Sequence, residues 1–140
     1  MKKTGFFILV ILTLIACGKN DPKAQLQHLN GYWEIEKVET PYGEDRGYKF
    51  NERVDYIEIE DSVGFRTKVL PRIDGTFVNS ETQEKITVRI IEDSLRLNYS
   101  TPFAEWTETV LEANDELLKV KNDRGMIYSY KKFEKINITD

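Results

Sequence analysis

The chain has 140 residues, with 24 acidic side chains against 20 basic ones, one histidine and one cysteine. That length suits one domain with a single core, and the acidic balance excludes nucleic-acid binding, which depends on basic residues neutralising phosphates. Nor does it give a reason to expect adsorption onto anionic lipid by charge.

The chain opens as a leader. Lys2 and Lys3 form a positive n-region, Phe6 to Ile15 an apolar h-region, and Ala16 is the small residue expected before a cleavage point. A transmembrane helix needs about 20 apolar residues, whereas Gly18-Lys19-Asn20-Asp21 turns polar at once. Leu14-Ile15-Ala16-Cys17 resembles a bacterial lipobox. The resemblance implies that residues 1–16 are removed and that Cys17 carries a thioether-linked diacylglycerol, usually with a further acyl chain such as palmitate on its amine. Two or three chains make a durable anchor where one binds only marginally. The expected partner of Cys17 is therefore a membrane, and the expected location is the cell envelope. Gly18 replaces the aspartate that looks like an inner-membrane retention signal, which favours the outer membrane.

Asp21-Pro22 reads as an N-cap followed by proline at the first helical position. Lys23 to Leu29 is a short helix ending at Asn30-Gly31, too short to stand alone and expected to dock through Leu26 and Leu29. From Tyr32 onward the pattern is strand and turn. The expected strands are Tyr32 to Glu39, Arg53 to Glu60, Phe65 to Leu70, Thr76 to Ser80, Lys85 to Glu92, Leu95 to Ser100, Glu105 to Glu112, Glu116 to Lys121 and Met126 to Phe133. Turn chemistry separates them, including Asp61-Ser62, Asp74-Gly75, Asn79-Ser80, Asp93-Ser94 and Asn122 to Gly125. No segment is long enough for a crossover helix, so the sheet is an antiparallel meander.

Alternation sets an apolar face against a solvated one. Phe65, Thr67 and Val69 share a face opposite Arg66 and Lys68; Ile86, Val88 and Ile90, then Leu95, Leu97 and Tyr99, then Met126, Tyr128 and Tyr130 repeat the pattern. Trp33 and Ile35 begin the first strand in the same way, but Lys37 then falls on their face, which predicts a bulge. Eight or nine strands avoid bare edges by closing into a barrel; a two-sheet sandwich is the alternative.

Gly31-Tyr32-Trp33, at the junction of a short helix and a first strand, is similar to the G-x-W signature of lipocalin-like barrels. With Trp106-Thr107-Glu108, Asn114-Asp115-Glu116-Leu117 and Tyr128-Ser129-Tyr130-Lys131-Lys132, the chain resembles the small lipocalin-like lipoproteins of Bacteroidetes. The resemblance implies an all-β, antiparallel up-and-down lipocalin-like barrel of eight or nine strands preceded by a short N-terminal helix. Its parts are a signal peptide (1–16), a lipidated tether with the helix (17–30), the barrel (31–134) and a C-terminal tail (135–140). It further implies that Trp33 plugs the closed end under a cation, which Arg124, Lys131 or Lys132 could supply. The long first loop, Thr40 to Asn51, is then a lid carrying Tyr42 and Tyr48; a solvated loop whose tyrosines pack on the rim is the plainer reading. The T-D-Y turn motif of the core lipocalins is absent, for Asn98-Tyr99-Ser100 does not match it.

Catalytic chemistry lacks its parts. His28 is the only histidine, so a triad, an imidazole base or a histidine metal cluster has no partners, and lipidated Cys17 leaves no free thiol. No phosphate-binding glycine loop is present. No enzyme activity, metal or cofactor is expected. Glu108 shares a face with Trp106 and Val110, so an inward carboxylate there needs an arginine or tyrosine partner and reads as a ligand-orienting or bend residue, not a catalyst. Asp61-Ser62-Val63 and Asp93-Ser94-Leu95 resemble the O-glycosylation signal of Bacteroidetes envelope proteins, beside their plain role as turns. Two functions follow. The first is a lipid-anchored binding module whose interior, lined by Trp33, Phe65, Phe77, Leu97, Tyr99, Trp106, Glu108, Tyr128 and Tyr130, holds a small apolar molecule. The second is a structural or interaction module whose barrel is solidly filled and whose outer face meets an envelope protein. A cavity of roughly 300 Å³ or more separates them. With Trp33 at the closed end and only a short tether before it, the mouth is expected to turn away from the membrane.

Overall fold

A computed structural model describes residues 21–135. Residues 1–20, on which the expected leader and Cys17 fall, and residues 136–140 lie outside the described residues. Helix α1, Pro22–Leu26, begins as its sequence dictates: the Asp21 side chain accepts from the Lys23 N–H at 3.1 Å, and Pro22 occupies the first turn. It stops sooner than expected, continuing through turns that close His28 on Gln25 and Leu29 on Leu26. Leu29 is fully buried and Leu26 packs on the core, so the docking role of both residues holds.

Nine strands follow: β1 Gly31–Glu39, β2 Arg46–Gly47, β3 Val54–Glu60, β4 Val63–Pro71, β5 Phe77–Ile91, β6 Ser94–Ser100, β7 Glu105–Ala113, β8 Leu117–Asn122 and β9 Ile127–Lys132. Their order in the sheet is β2-β1-β3-β4-β5-β6-β7-β8-β9, and β1 also pairs with β9. That last pairing closes eight strands into an antiparallel barrel and rules out the sandwich. The two-residue β2, not foreseen from the sequence, lies outside the ring on the far half of β1. The predicted bulge is present where the β1–β9 register slips between Ile35 and Lys37, which returns Val38 to the inner face opposite Tyr128.

The predicted strands 76–80 and 85–92 are one strand. Asn79-Ser80 is no turn: the β4–β5 ladder skips from Thr67↔Gln83 to Val69↔Asn79, so β5 bulges and continues. The Thr67 hydroxyl donates to the Thr82 carbonyl at 2.9 Å there. The hairpin beyond the bulge carries Phe77 onto the outside of the barrel, where its ring stacks on Tyr32 at 4.2 Å and meets Phe133 edge-on. Tyr32 in turn packs on Tyr56, and Tyr56 on Phe65.

This outer aromatic cluster inverts the expected facing of β4. Ile57 pairs with Arg66 and Asp55 with Lys68, so Arg66 and Lys68 face inward, while Phe65, Thr67 and Val69 face outward under the hairpin. Alternation is correct in β4, but both of its faces are covered, and a covered outer face looks like a core face in sequence. The inner core runs from Leu29 and Trp33 through Ile57, Ile86, Leu95 and Leu97 to Val110, Leu118 and Val120.

Candidate functional site

One end of the barrel is sealed. The Trp33 indole N–H donates to the Leu29 carbonyl at 2.8 Å, and the Asn30 side chain brackets Ile59, accepting from its N–H at 2.8 Å and donating to its carbonyl at 3.0 Å. Helix α1 is tied across the same end by Gln25 to the Leu111 carbonyl and by His28 Nδ1, 3.1 Å from Asp115. Lys132 is the cation over Trp33, its Nζ 4.4 Å from the ring centroid and donating to the Asn30 carbonyl at 2.8 Å. Burial lowers the pKa of that ammonium, an effect the charge of Asp115 opposes.

Above Trp33 the interior becomes polar. Arg66 projects in from β4, its guanidinium 4.3 Å from the centroid of the Tyr99 ring, and Tyr99 stacks on Trp106 at 5.2 Å with the planes nearly parallel. Arg66 Nε donates to Glu84 Oε2 at 2.5 Å, and Nη1 lies 3.4 Å from the Tyr99 hydroxyl and 3.8 Å from Glu108 Oε2. Asp55 takes an ion pair from Lys68 at 2.7 Å. Glu108 is 6% exposed, and its Oε2 has no hydrogen-bond partner. Burial raises the Glu108 pKa against the pull of the Arg66 charge, and burial likewise pushes the Tyr99 and Tyr130 hydroxyls up. For Arg66, burial works against the charge, yet Tyr99, Glu108, Tyr130 and the hydrogen bond to Glu84 together hold the pKa above the ordinary arginine value.

Space is distributed unevenly around this cluster. Within the closed interior, Trp33, Asp55, Arg66, Glu108 and Tyr130 border a gap of about 10 Å³, room for one water-sized group. On the other side of Arg66 and Asp55 lies a cavity of about 450 Å³, open at the rim between the β5 bulge and the β6–β7 loop. Lys68, Gln83 and Glu84 line its polar side, with Pro102 and Phe103 opposite. The loop that bears Phe103 is closed by hydrogen bonds of its own. Thr101 accepts from Phe103 N and Ala104 N through its hydroxyl and donates its N–H to the Ala104 carbonyl at 2.9 Å, which leaves the Phe103 ring 97% exposed.

The predicted residues therefore divide. Trp33, Leu97, Tyr99, Trp106, Glu108, Tyr128 and Tyr130 line the interior, but they fill it. Phe65 and Phe77 belong to the outer cluster and face no ligand space in the barrel. Tyr42 is 91% exposed and Tyr48 37% exposed, and neither borders the mouth cavity; β2 instead pairs their loop with the edge of β1. Arg66, Lys68, Glu84 and Phe103 are the residues the sequence reading passed over. The available signal was Arg66 itself, a cation whose strand has apolar residues on its other face, in register with Glu84 of β5. Among the described residues, no group of three or more histidine, cysteine, aspartate or glutamate side chains could hold a metal ion, and no helix is long and apolar enough to cross a membrane.

A family model for the lipocalin-like domain matches residues 29–120, from the buried Leu29 to the inner Val120. The chain belongs to the lipocalin-like domain family. Among solved structures it is similar to a lipocalin-like protein from Bacteroides uniformis, at 12% identity and a TM-score of 0.49, over 76% of this chain and 99% of that one. It is also similar to an uncharacterized protein from Bacteroides eggerthii, at 12% identity and a TM-score of 0.47, over 74% and 98% of the two chains. No curated protein matches the chain.

Proposed function

We propose that this lipocalin-like protein is a lipid-anchored binding module of the cell envelope, held in the outer membrane through Cys17, and that it takes a small amphipathic molecule at the barrel mouth. The cavity of about 450 Å³ floored by Arg66 and Asp55 carries this reading, since it exceeds the roughly 300 Å³ at which ligand sites begin. The apolar part of the ligand lies on Phe103 and Pro102, and its polar end reaches Arg66, Gln83 and Glu84. Because Arg66 is already matched by Glu84 and Lys68 by Asp55, a strongly charged ligand has to break an ion pair. A ligand with hydroxyl or amide groups does not. In this reading the protein holds its ligand and does no chemistry on it.

The filled interior favours a second reading, in which the barrel is solid throughout and its rim meets an envelope protein. Native mass spectrometry of the chain purified from its own envelope separates the two. The binding reading expects a co-purifying small molecule that is lost in Phe103→Ala, a change at an exposed ring that leaves the fold intact. Repeated recovery of bare protein, with Trp106 fluorescence indifferent to added amphiphiles, would overturn it. The same spectra report the anchor: a mass for residues 17–140 plus a diacylglycerol supports lipidation of Cys17, and an unmodified full chain refutes it.

A further inference from the structure

The outer wall of the barrel carries a row of cations. Arg89 on β5 pairs directly with Arg96 on β6, Arg96 with Thr109 on β7, and Thr109 with Lys121 on β8. Directly paired residues share a face, and because Val88, Leu97, Val110 and Val120 face inward, this row faces out. Adjacent strands lie about 4.8 Å apart, and like charges directly opposite one another destabilise a sheet. Among the described residues, none of the three cations forms an ion pair. Arg96 adds an independent sign, for its Nε is buried and has no hydrogen-bond acceptor, a donor costly to leave unmatched. The next row, Thr87, Asn98 and Thr107, supplies hydroxyl and amide groups. A groove of about 440 Å³ runs along that row; of the three cations only Arg89 lines it, together with Glu105 and Asp123.

We infer that this wall is a binding site for a tetrahedral oxyanion, a phosphate or sulfate monoester, held between Arg89 and Arg96 and flanked by Lys121. A carboxylate is satisfied by one guanidinium fork. Two guanidiniums on neighbouring strands call for a group with three or more acceptor oxygens and up to two charges. Glu105 and Asp123 repel such a group from their part of the groove and hold it to the arginines. The site is separate from the mouth and does not depend on what the mouth binds.

The test uses the detergent-solubilised full chain, with sodium phosphate compared with sodium chloride at matched ionic strength. Phosphate at about twenty times its dissociation constant is expected to raise the unfolding midpoint by roughly 5 °C and to shift the Arg96 Nε–Hε resonance. Arg89→Gln is expected to abolish both effects while raising the midpoint in phosphate-free, low-salt buffer, because the like-charge pair is gone. A merely structural Arg89 predicts the opposite sign there. The source of the group is read by placing the chain in phosphatidylcholine bilayers with and without phosphatidic acid. An Arg96 shift on adding inorganic phosphate assigns a soluble ligand, and a shift only with phosphatidic acid assigns a headgroup. Absence of a phosphate-specific response in every arm, or a lower midpoint for Arg89→Gln in anion-free buffer, overturns the site.

Discussion

Gly31→Ala tests the sealed end most sharply. Gly31 has φ +128°, a region that side chains with a Cβ rarely adopt, and an added Cβ would stand 2.5 Å from Lys132 Nζ and 3.0 Å from its Cε. Two costs follow. The backbone conformation alone costs about 1–3 kcal/mol. Displacing Lys132 then sacrifices its contact with the Trp33 ring, about 0.5–2 kcal/mol, together with its hydrogen bond to the Asn30 carbonyl, of order 1 kcal/mol in this partly exposed setting. The single substitution should therefore lose about 3–5 kcal/mol, measured by urea denaturation followed through tryptophan fluorescence. In a Lys132→Ala background the second cost is already spent, so Gly31→Ala should lose only the backbone part. A coupling energy of about 2 kcal/mol is the expected result of the cycle. Equal losses in both backgrounds would falsify the argument that this glycine exists to admit Lys132 over Trp33.

Two further outcomes bear on the interior and on the outer cluster. The folded state protonates Glu108 more readily than the unfolded chain does, because burial raises its pKa. Between the unfolded carboxylate value near 4.3 and the raised folded value, the folded protein holds the extra proton, so this group's contribution to stability falls as pH rises. Glu108→Gln should thus be more stable than the parent by order of 1 kcal/mol at neutral pH, from relief of a buried unpaired acceptor, with the difference vanishing below about pH 4. Chemical denaturation at a series of pH values checks this, and a pH-independent difference would sink it. Phe77→Ala should cost about 2–3 kcal/mol through the Tyr32 and Phe133 contacts yet leave amphiphile binding at the mouth unchanged. Weakened binding would return Phe77 to the ligand site.

How far the sequence could be read depended on whether a feature was local. The N-cap at Asp21, the bulge after Ile35 and the inward alternation of Leu95, Leu97 and Tyr99 are decided by neighbours in the chain, and the structure has all three. Trp33 under Lys132 was also within reach, as one of three cations near the end of the barrel. The facing of β4 was not. It depends on Phe77 folding back over Tyr32, a contact across 45 residues of sequence, and Asn79-Ser80 carries ordinary turn chemistry that hides the continuity of β5. Arg66 was misplaced for that reason, and with it the centre of the mouth. The cationic row was invisible for another: Arg89, Arg96 and Lys121 meet only through register, and the net acidity of the chain points away from any anion site.

The two ends of this barrel are built differently. At the sealed end three groups are paired: Trp33 with Leu29, Asn30 with Ile59, Lys132 with Asn30. Toward the mouth the ladder is interrupted at the bulge of β1, at the skipped register of β5 and at the Thr101–Ala104 turn. Near the sealed end it shifts once in β7, between Val110 and Glu112, beside the Leu111 carbonyl that holds Gln25. Glu84 reaches the mouth cavity through its regular pairing with Arg66, and Gln83 is the last paired position before the β5 register skips. Arg66 stands at the boundary. A ligand that entered more deeply would have to part Arg66 from Glu84 and leave Glu108 buried without a counter-charge, and removing one partner of a buried pair costs about 3–5 kcal/mol. That penalty is larger than the contact a water-sized gap can return. The ion pairs of Arg66 therefore act as a floor, and in the binding reading proposed above the ligand stays at the rim, over an aromatic interior that is filled.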